Sequence, residues 1–238
     1  MVMLSGLLGF MLLGGIAFMP DVEPPIREEE EFEPDTPDLE ESAQPTDGPD
    51  LLRGRFLDNM IDGRGGDDQI NGYDGDGTLD GADGNDTVIG GQGSNALAGG
   101  YGADALHGDD GDDILSGGTG HDILMGDAGD DVLIDTDLER DYLNGGEGDD
   151  SIHSYGVDVL TGGDGADTFV YTDAGDEPIE ITDFDPTVDT MAIQFHENDV
   201  RDISVHPVSE DVYEIRLGDQ VAAHIKSTAP FDASSIVF

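Results

Sequence analysis

Glycine returns at every ninth residue over a long stretch of this chain, and an aliphatic residue returns with it. The run GGTGHDILM at 117–125 and the next nine residues, GDAGDDVLI, place the same residue types at the same positions. Counted from its first glycine, each nonapeptide carries an aliphatic residue at its eighth position: Ile61, Ile70, Leu79, Val88, Leu97, Leu106, Leu115, Leu124 and Leu133. A period this short predicts a solenoid.

The repeats become less regular after residue 134 and then stop. Four further repeats of ten, nine, eight and nine residues follow, at 135–144, 145–153, 154–161 and 162–170. The array therefore covers 54–170. After residue 176 the alternating apolar residues of PIEITDF, DTMAIQF, VYEIRL and QVAAHIK predict several strands. We expect a small β-rich cap over 171–238.

Two different segments precede the repeats. Residues 1–19 are apolar and uncharged, and their length suits a membrane-spanning helix, which needs about 20 such residues. An anchor and a cleaved signal peptide both stay open, although no basic residue precedes the apolar run and no clear cleavage site follows it. Residues 20–53 are acidic and rich in proline, so they cannot bury enough apolar surface to fold, and we expect a disordered linker.

Charge restricts the class of partner. The chain has 56 acidic and 8 basic residues and a formal net charge of −48. Nothing in it could neutralise phosphates, which excludes nucleic acid, and the plausible counter-charge is a cation. Cysteine is absent, so neither disulfides nor a thiolate metal site can form.

The spacing of glycine and aspartate indicates which cation. Glycine permits sharp turns, and the aliphatic residue after each turn can point inward from a short strand. One repeat crosses the coil, so repeats n and n+2 stack on the same side and bring their aspartates together. Such carboxylates repel unless a hard, oxygen-preferring cation lies between them. Calcium suits this better than magnesium, because it accepts more ligands and irregular geometry.

The motif G-G-x-G-x-D-x-U-x, where U is a large aliphatic residue, occurs nearly intact in GGTGHDILM, GGEGDDSIH and GGDGADTFV. It resembles the RTX (repeat-in-toxin, haemolysin-type) calcium-binding repeats. The resemblance implies an all-β chain, built as a right-handed parallel β-roll solenoid with multiple Ca²⁺ ions. It also implies that the sixth-position residues are metal ligands: Asp68, Asp86, Asp104, Asp113, Asp122, Asp131, Asp141, Asp150, Asp158 and Asp167.

Departures from the motif fall mostly on one side of the coil. Even-numbered repeats carry aspartate at the sixth position from Asp68 onward, whereas the first three odd-numbered repeats carry Asn59, Gly77 and Asn95 there. Asparagine is a neutral ligand and glycine offers no side chain. We therefore predict that one face binds calcium throughout and that the other binds weakly or not at all near its N-terminal end.

No catalytic constellation is found in the sequence. HEND at 196–199 lacks the second histidine of a zinc-protease helix, because Val200 stands in its place, and no G-x-S-x-G elbow occurs. The acidic pairs, such as Asp112 and Asp113, repeat with the turns, and no tryptophan offers a sugar platform. Aspartate and glycine are also ordinary turn residues, which is the competing interpretation of individual positions.

Two classes of function remain. One is a non-enzymatic calcium-binding protein, secreted or at the cell surface, that folds on meeting extracellular calcium. The other is an export and folding appendage that acts with a separate toxin or hydrolase chain. The resemblance implies type I secretion, since ITDFDPTVDTMAIQF is similar to the junction after the last repeat of secreted RTX proteases, and DASSIVF is similar to their C-terminal signals. Residues 1–19 suggest a membrane tether instead.

Overall fold

The computed structural model describes residues 45–172, 177–194, 202–231 and 236–237, and this part of the chain contains strands and turns but no helix. In chain order the strands are β1 (Leu51–Arg53), β2 (Met60–Asp62), β3 (Gln69–Asn71), β4 (Thr78–Asp83), β5 (Thr87–Gln92), β6 (Ala96–Tyr101), β7 (Ala105–Asp110), β8 (Ile114–Thr119), β9 (Ile123–Ala128), β10 (Val132–Ile134), β11 (Tyr142–Glu147), β12 (Ser151–Ser154), β13 (Val159–Asp164), β14 (Thr168–Thr172), β15 (Ile179–Phe184), β16 (Thr190–Gln194), β17 (Ile203–Pro207), β18 (Val212–Leu217), β19 (Gln220–Ser227) and β20 (Ile236–Val237).

The strands form two sheets, and each successive repeat contributes to the opposite sheet. The larger sheet has the order β1-β3-β5-β7-β9-β11-β13-β15-β19-β18-β17, and the smaller has the order β2-β4-β6-β8-β10-β12-β14-β16-β20. Val88 pairs with Leu106, and Leu106 pairs with Leu124, in parallel register. Repeats n and n+2 therefore stack directly, as the nine-residue period predicts, in a parallel β-solenoid of about 8 turns.

The aliphatic eighth position forms the core between the sheets. From β3 to β14 these side chains are at most 3% exposed: Ile70, Leu79, Val88, Leu97, Leu106, Leu115, Leu124, Leu133, Leu143, Ile152, Leu160 and Phe169. Their strand neighbours alternate outward, so that Ile114 is 51% exposed beside the fully buried Leu115. Apolar burial of this kind contributes about 1.5–3 kcal/mol per large side chain.

The solenoid begins earlier than the first glycine of the array. Leu52 is 1% exposed in the core, and β1 pairs with β3 through Leu52 and Ile70. Residues 45–53 form an additional repeat, in which Gly48, Asp50 and Leu52 take the fourth, sixth and eighth positions. This end of the predicted linker lies in the solenoid, because Leu52 has core surface to bury although proline replaces the first glycine.

Strands of the C-terminal region continue both sheets. The predicted strands at PIEITDF, DTMAIQF, VYEIRL and QVAAHIK are confirmed as β15, β16, β18 and β19. The first two of them extend the solenoid in parallel, by pairing with β13 and β14. The antiparallel ladder β17-β18-β19 then extends the larger sheet. Rings of Phe169, Phe184, Phe231 and Tyr213 pack with centroids 4.8–6.0 Å apart at this end of the core.

Candidate cation sites in the two rows of turns

Glycine is required where successive turns stack closely. Gly118 and Gly120 have φ angles of 108° and 129°, in the left-handed region that favours glycine. A Cβ atom on Gly118 would overlap the carbonyl oxygen of Gly100, and one on Gly120 would overlap that of Gly102. On each side of the solenoid, the turns of successive coils therefore stack directly on one another and form a regular row.

The sixth-position aspartates of these turns point inward and are buried. The first row, ahead of the strands of the larger sheet, contains Asp68, Asp86, Asp104, Asp122, Asp141 and Asp158. The second row, ahead of the strands of the smaller sheet, contains Asn59, Gly77, Asn95, Asp113, Asp131, Asp150 and Asp167. All ten aspartates expected to be ligands are at most 2% exposed.

Each of the ten sixth-position aspartates has one carboxylate oxygen that accepts a hydrogen bond from a backbone N–H of the preceding coil. The backbone N–H of Asp68 donates to Oδ1 of Asp86 at 2.7 Å, and that of Asp86 donates to Oδ1 of Asp104 at 2.7 Å. In the second row the N–H of Asp113 donates to Oδ1 of Asp131 at 2.7 Å. The carboxylates thus contact the neighbouring turn through its amide, which fixes the position of the second oxygen.

The second oxygen has no hydrogen-bond donor. Within the described part of the chain, the buried carboxylate oxygens without a partner are Oδ2 of Asp68, Asp86, Asp104, Asp113, Asp122, Asp131, Asp135, Asp141 and Asp150. A buried, unpaired carboxylate oxygen costs free energy unless a cation or proton compensates it. Their regular recurrence therefore points to a shared ligand of positive charge.

The first-position glycine leaves room for that ligand. A Cβ atom on Gly99 would lie 2.5 Å from Oδ2 of Asp104 and 2.5 Å from the carbonyl oxygen of Gly117. A Cβ atom on Gly63 would likewise lie 2.5 Å from Oδ2 of Asp68 and 2.7 Å from the carbonyl oxygen of Gly81. A carboxylate oxygen and a backbone carbonyl thus converge on a space that any other side chain would fill. This all-oxygen donor set fits calcium.

Burial disfavours the charged form of these aspartates. Burial, together with the charges of Asp122 and Asp86, raises the pKa of Asp104 to about 7, although a hydrogen bond from the Asp86 amide opposes the increase. Burial also raises the pKa of Asp113 to about 7, where the charge of Asp131 contributes. Ionised carboxylates at these positions therefore need a counter-charge.

The N-terminal part of the second row uses amides where the rest uses carboxylates. Oδ1 of Asn95 accepts a hydrogen bond from the Gly77 amide at 2.8 Å, and its Nδ2 donates to the Gly93 carbonyl at 3.0 Å. Nδ2 of Asn59 donates to the Gly72 carbonyl at 3.1 Å. The amide nitrogen thus satisfies carbonyls without an ion. This supports the prediction that this end of the second row binds calcium weakly, which stays a prediction.

Fifth-position residues have a different role from their sixth-position neighbours. Oδ1 of Asp67 accepts from the Asn85 amide at 2.9 Å, and Oδ1 of Asp130 accepts from the Asp149 amide at 2.9 Å. These side chains are exposed, and their hydrogen bonds stabilise the turns. The interpretation of aspartate as ordinary turn chemistry therefore applies to the fifth position.

Three acidic residues outside the predicted set also take part in these rows. Asp135 lies beside Asp141 and Asp158, and one carboxylate oxygen of each lies within 4.8 Å of the others. Asp189 accepts the Asp167 amide at 3.0 Å, and Asp183 accepts the Gly162 amide at 3.0 Å. For Asp189 the available signal was its place two residues before the buried Met191. The loss of the nine-residue spacing concealed it.

Comparison with known families agrees with this geometry. The family model of the RTX calcium-binding nonapeptide repeat (4 copies) matches 46–79, 62–97, 80–115, 98–133, 135–169 and 154–176, which together exceed half of the chain. A search for similar curated proteins finds no match. Among the described residues, no helix has the length and apolar character needed to cross a membrane. Residues 1–19, where an anchor or signal is expected, lie outside the described residues.

Proposed function

Because the chain belongs to the RTX calcium-binding nonapeptide repeat family, we propose that it is a secreted, non-catalytic calcium-binding protein whose solenoid folds on meeting extracellular calcium. The observation that carries the proposal is the buried, unpartnered Oδ2 atom of eight of the ten sixth-position aspartates, which at Asp68 and Asp104 lies next to a glycine carbonyl. Calcium would satisfy both oxygens and neutralise charge that burial disfavours.

The ligands we propose are the ten sixth-position aspartates. Asp68, Asp86, Asp104 and Asp122 supply one oxygen each along the first row, and Asp113, Asp131, Asp150 and Asp167 do so along the second. Asp141 and Asp158 continue the first row despite the ten-residue and eight-residue repeats that contain them. The bound ions link successive coils, so binding free energy becomes folding free energy.

The calcium concentration decides where folding occurs. Extracellular calcium modules respond at about 0.1–1 mM, so a chain with a net charge of −48 is expected to stay unfolded in a calcium-poor compartment and to fold outside it. We assign export to the type I route on the similarity of the C-terminal region to secreted RTX proteases.

The alternative function is that of an appendage that acts with a separate toxin or hydrolase chain. A pulldown in calcium, in which a hydrolase or toxin co-purifies, would support it.

A matched pair of substitutions tests the proposed ligands. Asp112 and Asp113 are neighbours of equal charge, but only Asp113 is buried and has an unpartnered Oδ2 atom. We expect Asp113→Asn to lose one bound calcium ion in equilibrium dialysis. We also expect it to lose stability in calcium, because one site at 100 times its Kd contributes about 2.7 kcal/mol.

The control is Asp112→Asn, which removes the same charge and retains an oxygen that can accept the Asp130 amide hydrogen bond. It should bind as many ions as the unmodified chain and unfold at nearly the same denaturant concentration. Equal ion loss in both variants would show that calcium responds to overall charge, and it would refute the assignment of Asp113 as a ligand.

A further inference from the structure

The repeat at 135–144 is irregular in both length and composition. It has ten residues, and Asp135 takes the first position, where the regular repeats carry glycine. The repeat at 154–161 has eight residues and begins with Ser154. The insertion and the deletion compensate, because the Asp122 amide donates to Asp141 at 2.6 Å and the Asp141 amide donates to Asp158 at 3.0 Å. The ladder of the first row is therefore continuous through both repeats.

Because the first row is continuous here, Asp135 lies where the regular repeats have their first-position glycine. In regular repeats the first glycine borders the Oδ2 atom of its own sixth-position aspartate, as Gly99 borders Asp104. A carboxylate at this position brings a second acidic group to the same space. Asp135 is 3% exposed, Asp141 and Asp158 are fully buried, and one oxygen of each lies within 4.8 Å of the others.

Two of the carboxylate oxygens in this cluster accept no hydrogen bond. Oδ2 of Asp158 accepts from the Ser154 hydroxyl at 2.6 Å. Oδ2 of Asp135 and Oδ2 of Asp141 have no donor although both are buried. The nearby guanidinium of Arg140 pairs with Glu180 at 3.0 Å. Among the ion pairs of the described residues, none involves the three carboxylates.

We propose that Asp135, Asp141 and Asp158 form a three-carboxylate calcium site that binds more tightly than the regular sites of the two rows. The proposal rests on the proposed function and concerns one position in the first row. Calcium affinity in proteins rises with the number of charged ligands and with site rigidity. Three buried carboxylates in stacked turns offer both, whereas a regular turn offers a carboxylate and a carbonyl. The irregular repeat is then the first part of the solenoid to take up calcium.

Calorimetric titration of the full chain with calcium alone tests the proposal. We expect one ion to bind about tenfold or more tightly than the rest, as an increase in ligand charge predicts. Asp135→Asn should abolish this tight phase and leave the weaker phase in place. Asp135→Gly, which introduces the residue of the regular repeats, should do the same. It provides a second test if Asp135→Asn does not fold. Glu139→Gln removes a charge from an exposed position in the same repeat and should retain the tight phase.

The outcomes separate this site from the function of the whole solenoid. Retention of the tight phase in both Asp135 variants, or a single class of weak sites in the unmodified chain, would refute the three-carboxylate site. Neither result would refute calcium binding by the solenoid as a whole. A proton shared among the three carboxylates would give this second result. If the unmodified chain takes up no calcium, the proposed function fails and this site fails with it.

Discussion

Removal of calcium is expected to unfold the solenoid. In the presence of a calcium chelator, the far-ultraviolet circular dichroism spectrum should lose its β-sheet signal, and the radius of gyration should increase. Excess calcium should restore both, and the same concentration of magnesium should not, because magnesium requires near-ideal octahedral geometry and dehydrates reluctantly. The change is expected over the whole array, since each coil is linked to its neighbours through the two rows.

The size of this effect follows from the number of sites. A site filled at 100 times its Kd stabilises the folded state by about 2.7 kcal/mol, and domains of this size are stable by only about 5–15 kcal/mol in total. A few such ions therefore exceed the whole margin of stability. Their loss also restores repulsion among the buried aspartates. A β spectrum that the chelator leaves unchanged would contradict the prediction.

Acidification of the calcium-free protein is expected to restore part of the fold. Burial raises the pKa values of Asp104, Asp113 and Asp150 to about 7, with smaller contributions from neighbouring aspartates. The reference value is 3.8, so the folded state binds more protons than the unfolded state between these limits. Stability is therefore undiminished below 3.8, decreases as the pH rises towards 7, and is lowest above 7.

In chelator, a change from pH 8 to about pH 5.5 should thus increase the β-sheet signal, because protons replace the missing counter-charge. Measurements at constant ionic strength isolate protonation from salt screening. With calcium present, the same change should lower the apparent calcium affinity, since protons compete for the carboxylates. A calcium-free chain that remains equally unfolded at both pH values would refute this account of the buried aspartates.

The regular part of the fold was predictable because period and burial act together. Nine residues carry the chain across the coil, so Leu106 stacks between Val88 and Leu124, and a shift in register would expose these side chains. The same spacing predicts that Asp104 lies between Asp86 and Asp122. Sequence alone did not indicate that one carboxylate oxygen accepts a backbone amide, because that depends on the separation of successive turns.

Two positions where another residue replaces glycine were missed from the sequence, as was one aspartate beyond the regular period. Pro45 and Asp135 stand where a repeat would begin with glycine, so the repeat at 45–53 and the acidic cluster around Asp135 were not recognised. Asp189 follows Asp167 by 22 residues, and a period of nine cannot find it. At Asp50 and Asp189 the burial of an apolar residue two positions later, Leu52 or Met191, preserves the coil, and only the structure reveals that compensation.

Anomalous diffraction from crystals grown in calcium, recorded at a long X-ray wavelength, tests most directly whether the unpartnered carboxylate oxygens hold the ions. The expected result is an anomalous peak beside Oδ2 of Asp104 and the carbonyl oxygen of Gly117, repeated along the first row. The Nδ2 atom of Asn95 in the second row should have none. Peaks confined to exposed fifth-position aspartates such as Asp67 and Asp112, with none at the buried Oδ2 atoms, would contradict it.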